Sequence, residues 1–526
     1  MDPLANLPFA KGDVALLAPI AIPALFGLVA LLLDLALDPR GSKTPLALVN
    51  ALGCALAGFA AVVLWKGDTG TVGLGGAMVA SGLSTGLALA ILLGTTLMGF
   101  ATAHHGTGAG PVRTTLAHGE LYGLMLFGTS GMLALVVAND LVTFFVAIET
   151  LSISVYALTG ADRRLARSAE GAMKYFVLGA FSSGFLLYGM SLLYGAGHTL
   201  RLDQLALSTL DPSLRPMATT GTVLLLVGLL FKVGAVPFHA WVPDAYEGAP
   251  GVVTGYMSVG VKVAAFGGAL LVLEAVGRSG ALSTAGIWGL WAVAAITIIA
   301  GNAGALTQRN PRRLLAYSGI AHTGYLLVGV VAMLRCFDEY HPAADSGDLL
   351  LASKDAVAGV GYYLLGYAAA NAGAFAVLCH LERGGEEVER VSDLAGLART
   401  SPGAAVAMTV SLVSLAGIPG TAGFLGKLWV FRAGVGTGDV GLVVLALLAS
   451  AVSLYYYLYV VVVMFMHEPL PGSAAAVAAE PRRWASRLAM GAAATATVVL
   501  GVWPNITRLL GVDLLELMSD GAEALL

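Results

Sequence analysis

Fourteen apolar runs, each long enough to cross a bilayer, take up most of the chain and leave few folds open to it. Cut at charged, Pro-rich and Gly-rich breaks, they fall at 13-34, 45-65, 73-100, 119-138, 141-158, 172-195, 217-238, 252-275, 282-301, 313-334, 356-380, 404-432, 440-467 and 486-508. A spanning helix needs about 20 mostly apolar residues, and these Ala-, Leu-, Val- and Gly-rich stretches supply them. None alternates with period two, which disfavours a transmembrane barrel. Only 11% of the 526 residues are charged, against about 25% in soluble domains, so too few groups remain to solvate an ordinary surface. The expected fold is an all-α polytopic membrane protein of about 14 transmembrane helices.

The net charge of −4 comes with no basic block longer than Arg163-Arg164 or Arg312-Arg313, so nothing reads as a nucleic-acid footprint. Cys54, Cys336 and Cys379 are far apart and offer neither a disulfide framework nor a metal site. His104 and His105 read as loop residues. The first apolar run follows a single cation, Lys11, is longer than a signal-peptide core and reads as a retained span.

Cations set the orientation, because basic loops stay in the cytoplasm. Of 28 Lys and Arg, 15 fall in loops after odd-numbered runs and nine in the termini and remaining loops. Both termini are therefore expected on the outer side. The four cations left over are Lys174, Lys232, Lys262 and Lys427, all inside apolar runs. A charge at the centre of a spanning helix costs roughly 2.5 to 3.5 kcal/mol even on the lenient insertion scale, and such residues normally serve ion movement. Lys232 and Lys262 lie near mid-run. Lys427 is nearer its run's end, and Lys174 sits close to its run's start with Glu170 four residues before it.

Glu149, in Phe-Phe-Val-Ala-Ile-Glu-Thr-Leu-Ser, is the one carboxylate well inside any run, and the four lysines are its candidate partners. A carboxylate beside an ammonium keeps both charged, and removing either pushes the other toward neutrality. A pair that opens and closes is therefore a proton switch; the plain alternative is a fixed salt bridge.

Two of the runs are interrupted. Gly234 and Pro237 break the run that holds Lys232, and Pro419 and Gly420 break the one that holds Lys427. Unwound backbone is tolerated at membrane depth only where protein or a watery cavity satisfies it, so a cavity is expected beside each lysine. The breaks share a pattern, Gly-Ala-Val-Pro at 234-237 and Ala-Gly-Ile-Pro at 416-419, and lie five runs apart. That odd spacing makes the two helices antiparallel, as an inverted five-helix repeat requires. The lysines do not share the register: Lys232 precedes its proline by five residues and Lys427 follows its own by eight. His239, after the first break, and His322, half-way along the tenth run, are candidate proton relays against a plain packing role. The segment from Trp241 to Pro250 carries Asp244 and Glu247 but no cation, and reads as an ordered lid, a subunit contact or a plain loop.

Glu149 with Thr-Leu-Ser after it, Ser168-Ala-Glu-Gly-Ala-Met-Lys-Tyr-Phe-Val-Leu-Gly-Ala-Phe-Ser-Ser, Val236-Pro-Phe-His-Ala-Trp-Val-Pro-Asp-Ala-Tyr-Glu-Gly-Ala-Pro and Leu415-Ala-Gly-Ile-Pro-Gly-Thr-Ala-Gly-Phe-Leu-Gly-Lys together resemble the antiporter-like membrane subunits of respiratory complex I. Among these the match is closest to subunit N of bacterial NADH:quinone oxidoreductase. The resemblance implies helices 1-3 over 1-118, a first five-helix repeat (helices 4-8) over 119-280, a second, inverted repeat (helices 9-13) over 281-467 and a last helix within 468-526, with helices seven and twelve broken. It implies a proton-translocating subunit that holds no redox centre, in a complex whose NADH, flavin, iron-sulfur clusters and quinone sit elsewhere. Its partners would be the other membrane-arm subunits and lipid, in a bacterial inner (plasma) membrane. Carried over by motif, Glu149 and Lys232 form the switchable pair, Lys262 the central relay and Lys427 the terminal exchange site, while Lys174 matches a further family lysine. The family's usual Leu after the glutamate is Thr150 here, whose hydroxyl is expected to bond Glu149. A subunit of a multi-subunit sodium/proton antiporter shares the same lysine and glutamate pattern, and a scaffold with purely structural charges is the rival of another class.

Overall fold

Hydrocarbon offers a backbone amide no water to bond, so each apolar run closes its own hydrogen bonds as helix. The computed structural model describes residues 11–38, 42–65, 71–103, 119–162, 165–205, 211–338, 346–382, 388–469 and 484–504. His104, His105, Arg163, Arg164 and the end of the fourteenth run lie outside the described residues.

The chain is a multi-pass membrane protein. Its first three spans are α1 (Lys11–Ala36), α2 (Thr44–Trp65) and α3 (Gly82–Thr102). Next come α4 (Gly119–Leu135), α5 (Leu141–Thr159), α6 (Ala166–Gly197) and α7 (Arg215–Val233), the short α8 (Trp241–Gly248), then α9 (Gly251–Tyr256) and α10 (Lys262–Arg278). A π-helical turn over Met257–Val261 joins the last two into one span, Gly251–Arg278, and Lys262 is the first residue after it. Such turns are frequent at functional sites. The second half holds α11 (Thr284–Leu306), α12 (Pro311–Arg335), α13 (Ser346–Leu381), the single turn α14 (Leu397–Thr400), α15 (Pro402–Ala416), α16 (Ala422–Gly436), α17 (Val440–Met466) and α18 (Trp484–Val502).

Twelve helices among the described residues are long and apolar enough to cross a membrane. The other two apolar runs are α4, of 17 residues, and the broken pair α15 and α16, of 15 residues each. The third run departs from expectation at its start. Residues 71 to 80 form an antiparallel hairpin, β1 (Thr71–Gly73) with β2 (Met78–Ala80), and the helix begins only at Gly82. Gly75 and Gly76 adopt φ of 66° and 92°, a turn that side chains resist, and Val72 pairs with Val79 across it. Ser81 then caps α3 in a reciprocal hydrogen-bond box with Ser84.

Burial sorts the helices into an inside and an outside. The span from α9 to α10, with α12 and α13, is almost wholly enclosed, whereas α1, α6, α11, α17 and α18 keep broad apolar faces on the outside of the chain. In a membrane those faces meet lipid or neighbouring helices. The polar side chains of α10, α12 and α13 therefore point at one another across the centre. Cys54 and Cys379 are buried and Cys336 partly so, and no disulfide joins them.

Candidate functional site

Both broken helices end in the same device. Gly234 follows α7 with φ of 74°, donates to the Phe231 carbonyl, and is succeeded by Ala235, which donates to Leu230. Gly417 follows α15 with φ of 85°, donates to Ser414, and is succeeded by Ile418, which donates to Val413. Each is a Schellman cap, whose left-handed residue glycine adopts without strain. The structural register thus pairs Gly234 with Gly417, one residue off the alignment suggested by Pro237 and Pro419. Gly420 takes φ of 88° in the turn that leads into α16.

Lys232 occupies the last turn of α7 and is buried. Its ammonium donates to Glu149 Oε1 at 3.2 Å, to Ser152 Oγ at 2.9 Å and to Ser183 Oγ at 3.3 Å. Ser183 in turn donates to the same Glu149 oxygen at 2.5 Å. Ser152 stands three residues after Glu149 and so on its face of α5, while Ser183 comes from α6. Glu149 itself is 23% exposed, against 7% for Lys232, so the carboxylate lies on the rim of this chain and the ammonium inside. Thr150 does not join them; its hydroxyl bonds back to Val146 at 2.7 Å, the usual one-turn bond of a threonine in a helix.

Lys262 has no carboxylate partner among the described residues. It donates to the Gly319 carbonyl at 2.5 Å and to Thr323 Oγ1 at 2.9 Å, both on α12, and its ammonium lies 5.4 Å from the Tyr367 ring centre. Thr323 donates to the carbonyl of Val233, the residue after Lys232, at 2.8 Å. Backbone and hydroxyl thereby bridge the surroundings of the two lysines.

His322 is held between tyrosines. Its Nδ1 shares a hydrogen bond of 2.6 Å with Tyr363 Oη and its Nε2 one of 3.2 Å with Tyr457 Oη, while Tyr457 also bonds Ser318. Tyr367 packs 5.0 Å away, centre to centre. Lys427 projects from α16 back to the end of α15, donating to the carbonyls of Leu415 and Ala416, each at 3.0 Å, and to Ser450 Oγ at 2.8 Å. The carbonyls that the break frees are met by a cation, which the negative end of the α15 dipole also favours. The watery cavity expected at this break is thus replaced, at these two carbonyls, by the lysine itself. At the first break a recess does occur, lined by Leu178, Phe181, Ser182, Phe231, Pro237 and Phe238, but it is apolar and Lys232 does not line it.

Lys174 is the clearest departure. It is 45% exposed and bonds Glu170 at 2.7 Å and Asp244 at 2.8 Å, so of the four lysines inside apolar runs only Lys232, Lys262 and Lys427 are buried, and of these Lys232 alone meets Glu149. Its position near the start of its run leaves it at the rim, where a long side chain reaches acidic partners. Asp244 also accepts from Arg313 at 3.0 Å, and Arg313 reaches Glu247 at 2.7 Å. The acidic segment without cations is therefore an ordered helix, α8, tied down by cations of α6 and α12. Further out, Arg167 lies 2.6 Å from Glu389 and holds that carboxyl below the ordinary glutamate range.

His239 sits half-buried in the turn after Pro237, and among the described residues no hydrogen bond joins it to Lys232. The sequence reading missed Ser152, Ser183, Thr323, Ser450 and the tyrosines at 363, 367 and 457. It also missed Glu274, a carboxylate at the end of the eighth run that is 2% exposed.

The family described as NADH:quinone oxidoreductase/Mrp antiporter, TM matches residues 138–338 and 348–453. The NADH-quinone oxidoreductase subunit N of Myxococcus xanthus is 45% identical over 404 residues, covering 74% of this chain and 76% of the relative. A chain of respiratory complex I from Thermus thermophilus with bound Aureothin is 33% identical, with a TM-score of 0.73 over 93% of this chain and 98% of that one. A chain of the Mrp complex from a Dietzia species superposes with a TM-score of 0.78 over 98% of each chain at 23% identity, a likeness of fold alone.

Proposed function

The chain belongs to the NADH-quinone oxidoreductase subunit N family, and from that premise we propose that it is a proton-translocating membrane subunit of an NADH:quinone oxidoreductase, coupling electron transfer from NADH to quinone to proton pumping. The observation that carries the reading is the ion pair of Glu149 and Lys232 at 3.2 Å at membrane depth, backed by two further buried lysines. A charge held there at such cost is retained for what it does when its partner moves.

In the proposed cycle, an electrostatic change arriving along the membrane arm draws Glu149 away from Lys232. The ammonium, left with Ser152 and Ser183 alone, passes its proton inward. Thr323 and Lys262 take up the path at α12, the His322 and tyrosine cluster continues it, and Lys427 exchanges the proton at the second break. Re-forming the Glu149 pair reloads Lys232. Glu149, open at the rim of this chain, is the group that a neighbouring membrane subunit would touch, since lipid would not tolerate it. His239 has a secondary part at most, as a contact with the aqueous loop, and Lys174 anchors α8.

The same reading places residues 119-280 and 281-467 as two inverted five-helix repeats, supported by the matched Schellman caps at Gly234 and Gly417. It sets 1-118 and 468-526 outside the repeats, both termini on the outer side and the whole in a bacterial inner membrane. Purification from mild detergent tests it: peripheral flavin and iron-sulfur subunits should come out with this chain. Recovery with small membrane subunits alone would point to a sodium/proton antiporter instead.

A further inference from the structure

Trp241 is used by no step above, yet α6, α7 and α8 all meet on it. It opens α8 and is 6% exposed. Its indole Nε1 donates to the carbonyl of Phe231, the residue before Lys232, at 3.2 Å. Its ring stacks on Tyr175 of α6, 4.2 Å between centres and 2° between planes, and on Phe231 of α7 at 5.6 Å and 29°. Tyr175 is the neighbour in sequence of Lys174, so the stack starts beside the ions that anchor α8. Those ions grip α8 one turn after Trp241, where Asp244 meets both Lys174 and Arg313.

A comparison of the two breaks shows what the indole replaces. With Gly234 set against Gly417, Val233 corresponds to Ala416 and Lys232 to Leu415. Carbonyls at the end of a helix have no partner within it, and bare ones at membrane depth are costly. At the second break a lysine meets them: Lys427 donates to Leu415 and Ala416. At the first, neutral donors do. The Val233 carbonyl accepts from Thr323 at 2.8 Å, and the Phe231 carbonyl accepts from Trp241 as well as from the Gly234 amide at 3.0 Å. The Lys232 ammonium is thus left to Glu149 and the two serines.

We propose that Trp241 is a positioning residue for Lys232. Its N–H and its stacked ring hold the last turn of α7, and so set the ammonium against Glu149; the ions on α8 in turn fix where the tryptophan stands. No proton passes through the indole, which acts only through the backbone that carries Lys232. A shift of α8 at its ion cluster would therefore be felt at the Glu149 pair. This rests on the reading of Lys232 as a proton carrier.

The test uses the whole complex in liposomes, with proton uptake measured per NADH oxidised, and infrared spectra in which Glu149→Gln identifies the Glu149 carboxylate band. Trp241→Phe keeps a stacking ring and removes the N–H. The Phe231 carbonyl retains the Gly234 amide, so the variant is expected to assemble. It should lose part of the pumping ratio and shift the Glu149 band. Should it fail to assemble, Arg313→Leu frees α8 from α12 without touching α7, and should lower the same ratio and shift the same band. A normal ratio in an assembled variant, or a lowered ratio with the band unmoved, means that Trp241 only packs and overturns the proposal. Lys232→Ala in the same series separates the two claims: loss there with a normal Trp241→Phe ends only the positioning role, and no loss in Lys232→Ala ends the reading it rests on.

Discussion

Lys427 and Ala416 stand on opposite sides of one broken helix, and the ammonium of the first donates to the carbonyl of the second at 3.0 Å. The two breaks therefore employ their lysines differently. Lys232 is carried on the helix that ends and reaches away to a carboxylate, whereas Lys427 is carried on the helix that resumes and reaches back to carbonyls and a hydroxyl. In the proposed cycle the first site would respond to a moving charge and the second to a shift between the two halves of its helix.

Replacing Lys427 with Met keeps the bulk and removes the donor. The Leu415 and Ala416 carbonyls and Ser450 lose their shared partner, at a cost of about 1–3 kcal/mol for buried acceptors left short. The expected result is a lower unfolding midpoint of the detergent-solubilised protein together with loss of pumping, both read from one preparation.

Gly417 and Gly420 both hold left-handed backbone, so an Ala at either costs roughly 1–2 kcal/mol. They differ in what a methyl would meet: at Gly417 it would lie 2.9 Å from Lys427 Cδ, while at Gly420 nothing stands within 4 Å. Gly420→Ala is expected to lower stability and leave pumping per turnover near normal. Gly417→Ala should lower both, because it displaces the lysine. Comparing the variants by thermal unfolding and pumping separates strain from chemistry.

Asp244 is shared by Lys174 and Arg313, yet each cation keeps a second acid, Glu170 and Glu247 respectively. Asp244→Asn should therefore loosen α8 only modestly. Arg313→Leu, which strips both acids of α8 of their α12 partner, should loosen it more, seen as faster amide exchange over 241–248 by mass spectrometry.

Ser183 donates to Glu149 at 2.5 Å but carries no charge. Ser183→Ala is expected to cost about 1 kcal/mol and to slow pumping mildly. Glu149→Gln leaves Lys232 buried without its counter-charge, and should abolish most pumping. Equal effects from the two would mean that the hydroxyl network, not the charge pair, is what matters.

The sequence made the apolar runs and the two breaks legible, and a charge in hydrocarbon is expensive enough that Glu149 and its four candidate lysines stood out; it was the family resemblance that singled out Lys232 as the partner. Lys174, close to its run's start and one turn after Glu170, was the lysine whose place in the sequence most favoured the rim, and it lies there bonded to that glutamate. Glu274 was overlooked because an acid at a run's end reads as interfacial until neighbouring helices close over it. The tyrosines around His322 come from α13 and α17, and no local pattern announces that helices so distant in sequence meet there. The hairpin over 71 to 80 is apolar enough to pass for helix, although its Gly75-Gly76 pair was the available signal.

In the proposed cycle Lys232 is a proton carrier and not a structural cation. The direct measurement is proton uptake per NADH oxidised in liposomes that contain the assembled complex with Lys232→Ala. The complex is expected to assemble and this ratio to fall. Normal coupled pumping by the assembled variant would contradict it.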